Sequence, residues 1–185
     1  MKRMMIEVLC LALVSLAACG KQANVSSDTV TASAANSVSE GLAQFSVTSD
    51  DLHDGVWDTV ITNTDNGKNV SPQLSWEPVE GAKSYVVYMV DTSAGNWLHW
   101  RAGNITETTL AQGSATESEY VGPYPPSGMH NYEIYVYAMK ADVDRVPGAF
   151  DSANEGFGQF ESLLDESGGV IAYGHISGTY THGDK

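Results

Sequence analysis

Asp91, His99, His130 and Tyr132 are the side chains of this sequence best suited to do chemistry together. A histidine can present a ring N–H to an anion, and both ring nitrogens become donors once the imidazole is protonated, near pH 6.5 for an unperturbed ring. A phenol adds a neutral hydroxyl donor. A carboxylate beside an imidazole fixes its tautomer and favours its charged form. The set could therefore line one pocket. Each member falls where a strand should begin or end, which is where functional groups are placed on a rigid scaffold. Asp91 stands at the exit of an apolar run, His99 within Asn96-Trp97-Leu98-His99-Trp100, and His130 and Tyr132 just after a Pro/Gly-rich turn that starts at Gly122.

Other chemistries suit the same residues less well. Two histidines and a carboxylate are the ligand types of a metal site, but none is spaced i, i+3 or i, i+4 as on a helix, so no metal or cofactor is expected. Nucleophilic catalysis needs a placed serine; Ser71, Ser93 and Ser127 sit in loop sequence without a Gly-x-Ser-x-Gly elbow. Binding without catalysis is the expectation. The alternative is a metal-assisted or acid/base hydrolase using the same pocket. His53, His175 and His182 match no site motif and are expected at the surface.

The elements that must position these groups are mainly strands. Ser84 to Val90 is a continuous β-branched and aromatic run, the pattern of a central strand covered on both faces. Asn131 to Ala141 is a second core strand, with Tyr132, Ile134, Val136 and Ala138 on one face by the period of two. Weaker strands are predicted at Gln44 to Thr48, Gln73 to Trp76, Leu98 to Ile105 and Val170 to Tyr180. Helical spacing appears once: Phe157, Phe160, Leu163 and Leu164 share a face, with Ser152 or Asn154 as cap and Gly168-Gly169 as stop. The expected fold is mostly β, a sandwich-like domain with one helix in its C-terminal region.

The start of the chain has a different composition. Lys2 and Arg3 precede an apolar stretch, Val8 to Leu16, too short to span a bilayer. Leu16-Ala17-Ala18-Cys19 then resembles the lipobox of bacterial lipoproteins, which implies a signal peptide over 1–18, lipid on Cys19, and a bacterial envelope location. Gly20 after the cysteine resembles the outer-membrane sorting pattern. Lys21 to Glu40 has almost no large apolar residues and cannot offset the entropy of ordering, so 19–41 reads as lipidated cysteine and tether, and 42–185 as the domain. Cys10, the only other cysteine, lies in the segment to be removed, so the mature chain has no internal disulfide. Of 9 Lys+Arg and 23 Asp+Glu, removal of Lys2, Arg3 and Glu7 leaves 7 against 22, a net charge of about −15. Such a surface repels nucleic acid. The expected partner from this part of the chain is the membrane that receives the lipid. A further alternative is an interaction lipoprotein with a vestigial pocket.

Four ordered motifs resemble the phosphatidylethanolamine-binding protein family, and more narrowly its bacterial Raf-kinase-inhibitor-like branch. They are Asn69-Val70-Ser71-Pro72-Gln73-Leu74-Ser75-Trp76, Asp91, His99-Trp100, and Gly122 to Tyr132; Ile176 to Tyr180 closes the match. The resemblance implies two antiparallel sheets with a small pocket at one end for phosphate, phosphorylated head groups such as those of phospholipids, or acetate. The pocket residues it implies are Asp91, His99, Pro125, His130 and Tyr132. Two departures stand out. The family's Asp-Pro-Asp-Ala-Pro is here Asp91-Thr92-Ser93-Ala94-Gly95, which predicts a more mobile loop, and the position after the second histidine, often Arg, is Asn131, which removes a phosphate donor.

Overall fold

The computed structural model describes residues 41–182. They fall in the second of two units, Ser33–Lys185; the expected signal segment, Cys19 and nearly all of the expected tether lie outside the described residues. In chain order the strands are β1 (Ala43–Phe45), β2 (Val47–Thr48), β3 (Leu52–His53), β4 (Val56–Trp57), β5 (Leu74–Trp76), β6 (Ser84–Asp91), β7 (Trp97–Ile105), β8 (Thr109–Leu110), β9 (Met129–Met139) and β10 (Val170–Thr181), with one α-helix, α1 (Phe160–Gly168), before β10.

All eight residues of β6 are buried, which requires cover on both faces. Tyr85, Val87 and Met89 join one apolar cluster and Val86, Tyr88 and Val90 another, as the alternation of a pleated strand dictates. β9 lies antiparallel against β6 from Ser84↔Met139 to Asp91↔Tyr132. The large sheet runs β3-β4-β10-β9-β6-β7. Its long strands are antiparallel, and the short β1 and β4 add to β10 in parallel. A smaller antiparallel sheet, β2-β5-β8, packs on one face through Val47, Leu74, Trp76 and Leu110. The fold is thus mostly β, two-sheeted and sandwich-like. The strands β3, β4 and β8, two residues each like β2, are too short to show any alternation in the sequence.

The other face carries α1, entered through a 3-10 turn, Phe157–Gln159. Phe157, Phe160 and Leu164 pack on Tyr88, Tyr135 and Val143. Leu163 does not share that face: it is 45% exposed, and Glu161 is buried in the interface instead. At about 100° per residue, positions 160, 161, 164 and 168 form one stripe and 163 points away from it. Neither Ser152 nor Asn154 caps the helix; the residues at the cap positions, Gly156 and Gln159, make no side-chain cap bond. The Asn154 amide instead ties Ala149 to Ser152. Gly169, at φ +69°, ends the helix, its N–H donating to the Asp165 carbonyl.

Candidate functional site

The strand ends converge on a cavity of about 400 Å³, lined among others by Asp91, His99 and His130. Register brings the first and last together: β6 and β9 pair Asp91 with Tyr132, so His130, two residues earlier on the same face, faces the carboxylate across the end of the sheet. His130 Nδ1 donates to Asp91 Oδ2 at 2.6 Å, with side chains only 15% and 4% exposed. Asp91 Oδ1 accepts the Ser93 N–H at 2.8 Å. Both carboxylate oxygens therefore have protein donors, and the free nitrogen of His130 is Nε2.

His99 is held differently. Its Nδ1 lies 2.8 Å from the Val121 carbonyl, which fixes that nitrogen as the donor and leaves Nε2 to an occupant of the cavity. Burial pushes the pKa of His99 down; the Val121 carbonyl and the Asp91 charge oppose this without overcoming it. The ring is neutral at pH 7, so its Nε2 is an acceptor. Of the two histidines, His130 is the one placed beside a carboxylate that can balance a proton.

Tyr132 and Pro125 are buried and are not among the residues that line the cavity. Tyr132 is fully buried, its ring 5.3 Å from that of His99 and 6.4 Å from that of His130. Its hydroxyl approaches Asp91 without a well-formed hydrogen bond, so what reaches it is mainly the carboxylate's field; burial first, and that field second, push the phenol's pKa up. Pro125 is buried, and the proline that lines the cavity is Pro126. His53 and His175 are exposed as expected, while His182 is half-buried with its ring against Tyr124, a lining residue.

The departures also take definite positions. Asn131 alternates with His130 and Tyr132, so its side chain leaves the opposite face of β9, where it bonds to Thr92, Glu133 and Ser177. It does not line the cavity. Gly95 takes φ +64°, closed to proline, and the 92–96 loop is pinned by bonds from the N–H of Thr92 to the Asn131 carbonyl, of Asn131 to Ser93 Oγ, and of Asn154 to the Gly95 and Asn96 carbonyls. These bonds counter the freedom expected of a glycine there.

Three further residues shape the site. Asn69, at φ +52°, accepts the Gly122 N–H on its side-chain oxygen at 2.7 Å, and a Cβ at Gly122 would meet the Ile61 carbonyl oxygen at 2.2 Å. The Asn69 motif thus sets a wall of the cavity. Trp97 Nε1 donates to Asp151 Oδ1 at 3.1 Å, and both residues line the mouth. Trp97 stands in the segment that contains His99. Asp151, about fifty residues away in an otherwise unremarkable loop, carries no local signal.

A two-sheeted β domain with a polar-floored cavity at the ends of its strands has the architecture of a binding module. The family model described as "PBP: Phosphatidylethanolamine-binding protein" matches residues 31–181. The chain belongs to the phosphatidylethanolamine-binding protein family. Among its relatives, a UPF0098 protein of Methanothermobacter thermautotrophicus is 36% identical over 107 residues, 46% of this chain and 71% of that protein. One of Aquifex aeolicus is 30% identical over 139 residues, 63% of this chain and 77% of that protein. The structure of Escherichia coli YbcL, described as a new member of the mammalian PEBP family, superposes with a TM-score of 0.60 at 26% identity, covering 76% of this chain and all of that one. A putative family homolog from Chlamydia trachomatis shares the fold, with a TM-score of 0.58 at 23% identity over 76% of this chain and 99% of that one.

Proposed function

We propose that this protein is a non-catalytic binding protein for small anionic or phosphorylated ligands, tethered to the bacterial envelope by lipid on Cys19. The observation that carries the pocket reading is the Asp91–His130 pair at 2.6 Å in the cavity floor. Protonated His130 would donate Nε2–H to the anion while Asp91 balances its charge. Neutral His99 would accept from the ligand's own hydroxyl, which favours an anion that keeps a proton, such as a hydrogen phosphate group. Asp151 at the mouth adds a like charge that works against simple anions.

Calorimetric titration with acetate tests this. His130→Ala, which removes the Nε2–H donor, should weaken acetate binding about tenfold. Asp91→Asn, which removes the charge that balances a protonated His130, should weaken it as well. Asp151→Asn should tighten acetate by about threefold at low salt. An acetate affinity that His130→Ala leaves unchanged would remove His130 from this role.

A further inference from the structure

The β6–β9 ladder ends at Asp91↔Tyr132. Beyond it His130, the partner of Asp91, is still paired with Tyr180 of β10 on one side but no longer has β6 on the other, and the pair needs a fixed carboxylate and a fixed ring. We propose that Ser93 is the positioning residue of this pair, acting through Asp91 and the backbone beside His130 without touching the ligand. This rests on reading Asp91 and His130 as the working pair of the anion site.

Ser93 makes two bonds that meet at that point. Its N–H donates to Asp91 Oδ1 at 2.8 Å, and its hydroxyl oxygen accepts the N–H of Asn131 at 3.0 Å. The first bond holds one carboxylate oxygen, so that the other is presented to His130 Nδ1. A carboxylate with a donor on each oxygen has lost its freedom to rotate. The second bond ties the loop bearing that donor to the residue next to His130, adding a side-chain bond on the β6 side of β9 just beyond the last residue pair of the ladder. Thr92 reinforces it, donating both its N–H and its hydroxyl to the Asn131 carbonyl. Ser93 is exposed and does not line the cavity, so what it contributes is the orientation of its neighbours. Alanine there would leave the Asn131 N–H without its acceptor.

The test uses Ser93→Ala and Ser93→Thr, compared with wild type by nitrogen-15 NMR of ligand-free protein and by acetate titration at pH 6. In Ser93→Ala the His130 Nδ1 proton should exchange with water several times faster, and acetate affinity should drop about threefold. Ser93→Thr keeps the hydroxyl and should restore both, with all three proteins unfolding at similar denaturant concentrations. An unchanged Nδ1 exchange rate in Ser93→Ala, or an equal loss in both variants, would overturn the assignment. If wild-type protein fails to bind acetate, the anion-binding reading falls, while the exchange rate of the empty site still decides the role of Ser93.

Discussion

The two imidazoles of the cavity differ because of what lies against each. His99 is buried against a neutral carbonyl, and His130 is bonded to a carboxylate. A buried histidine with a lowered pKa has a consequence for stability. Below the unfolded-state pKa, near 6.5, the unfolded chain takes up a proton that folded His99 refuses, so stability is complete above that pH and is lost as pH falls from there toward the folded value. His99→Gln lacks that proton uptake and should show a shallower loss of stability between pH 7 and 5. Denaturant unfolding at several pH values measures it, and identical slopes in the two proteins would contradict a neutral buried His99.

At the scale of elements, the site depends on how β6 is connected to β7. The turn at Gly95 and Asn96 passes through two successive residues with φ of +64° and +56°. A side chain at such a position costs about 1–2 kcal/mol, and a proline, held near φ −65°, cannot adopt it. A Cβ at Gly95 would meet only Ala153 Cβ at an ordinary 3.7 Å, so the cost of Gly95→Ala should be conformational, about 1–2 kcal/mol in chemical denaturation. Gly95→Pro should cost more and should also weaken acetate binding, because it pulls Ser93 away from Asp91. A Gly95→Pro protein as stable as Gly95→Ala would show that the turn can be rebuilt without the left-handed residue.

For the whole molecule the acidic charge, −14 on the full chain, opposes long-range attraction of an anion, so the proposed anion site has to rely on local donors, and the proposed lipid on Cys19 would bring the domain to a membrane. Among the described residues no helix is long and apolar enough to cross a bilayer. Labelled palmitate should enter the full-length protein, and Cys19→Ser should abolish that labelling; equal incorporation in the mutant would rule out the lipid-anchored reading.

Much of this arrangement was legible before any fold was known, and the legible part has one physical origin. Alternation within a strand and spacing within a helix are set by a residue's near neighbours, so β6, β9, the stop at Gly169 and the shared face of Asp91, Tyr85, Val87 and Met89 follow from short stretches of sequence. The resemblance of four ordered motifs added the two-sheet fold and the set of candidate pocket residues. What periodicity could not supply depends on distant parts of the chain. The register of β6 on β9 decides that Asp91 meets His130; the Val121 carbonyl and the packing around it decide that His99 stays neutral; the 149–154 loop brings Asp151 to the mouth. The strand's alternation turns Asn131 out of the cavity, although only the structure shows which face the cavity occupies. Local geometry is written in a few adjacent residues, whereas burial, charge pairing and the membership of a pocket are sums over the whole folded chain, and those the tertiary structure alone decided.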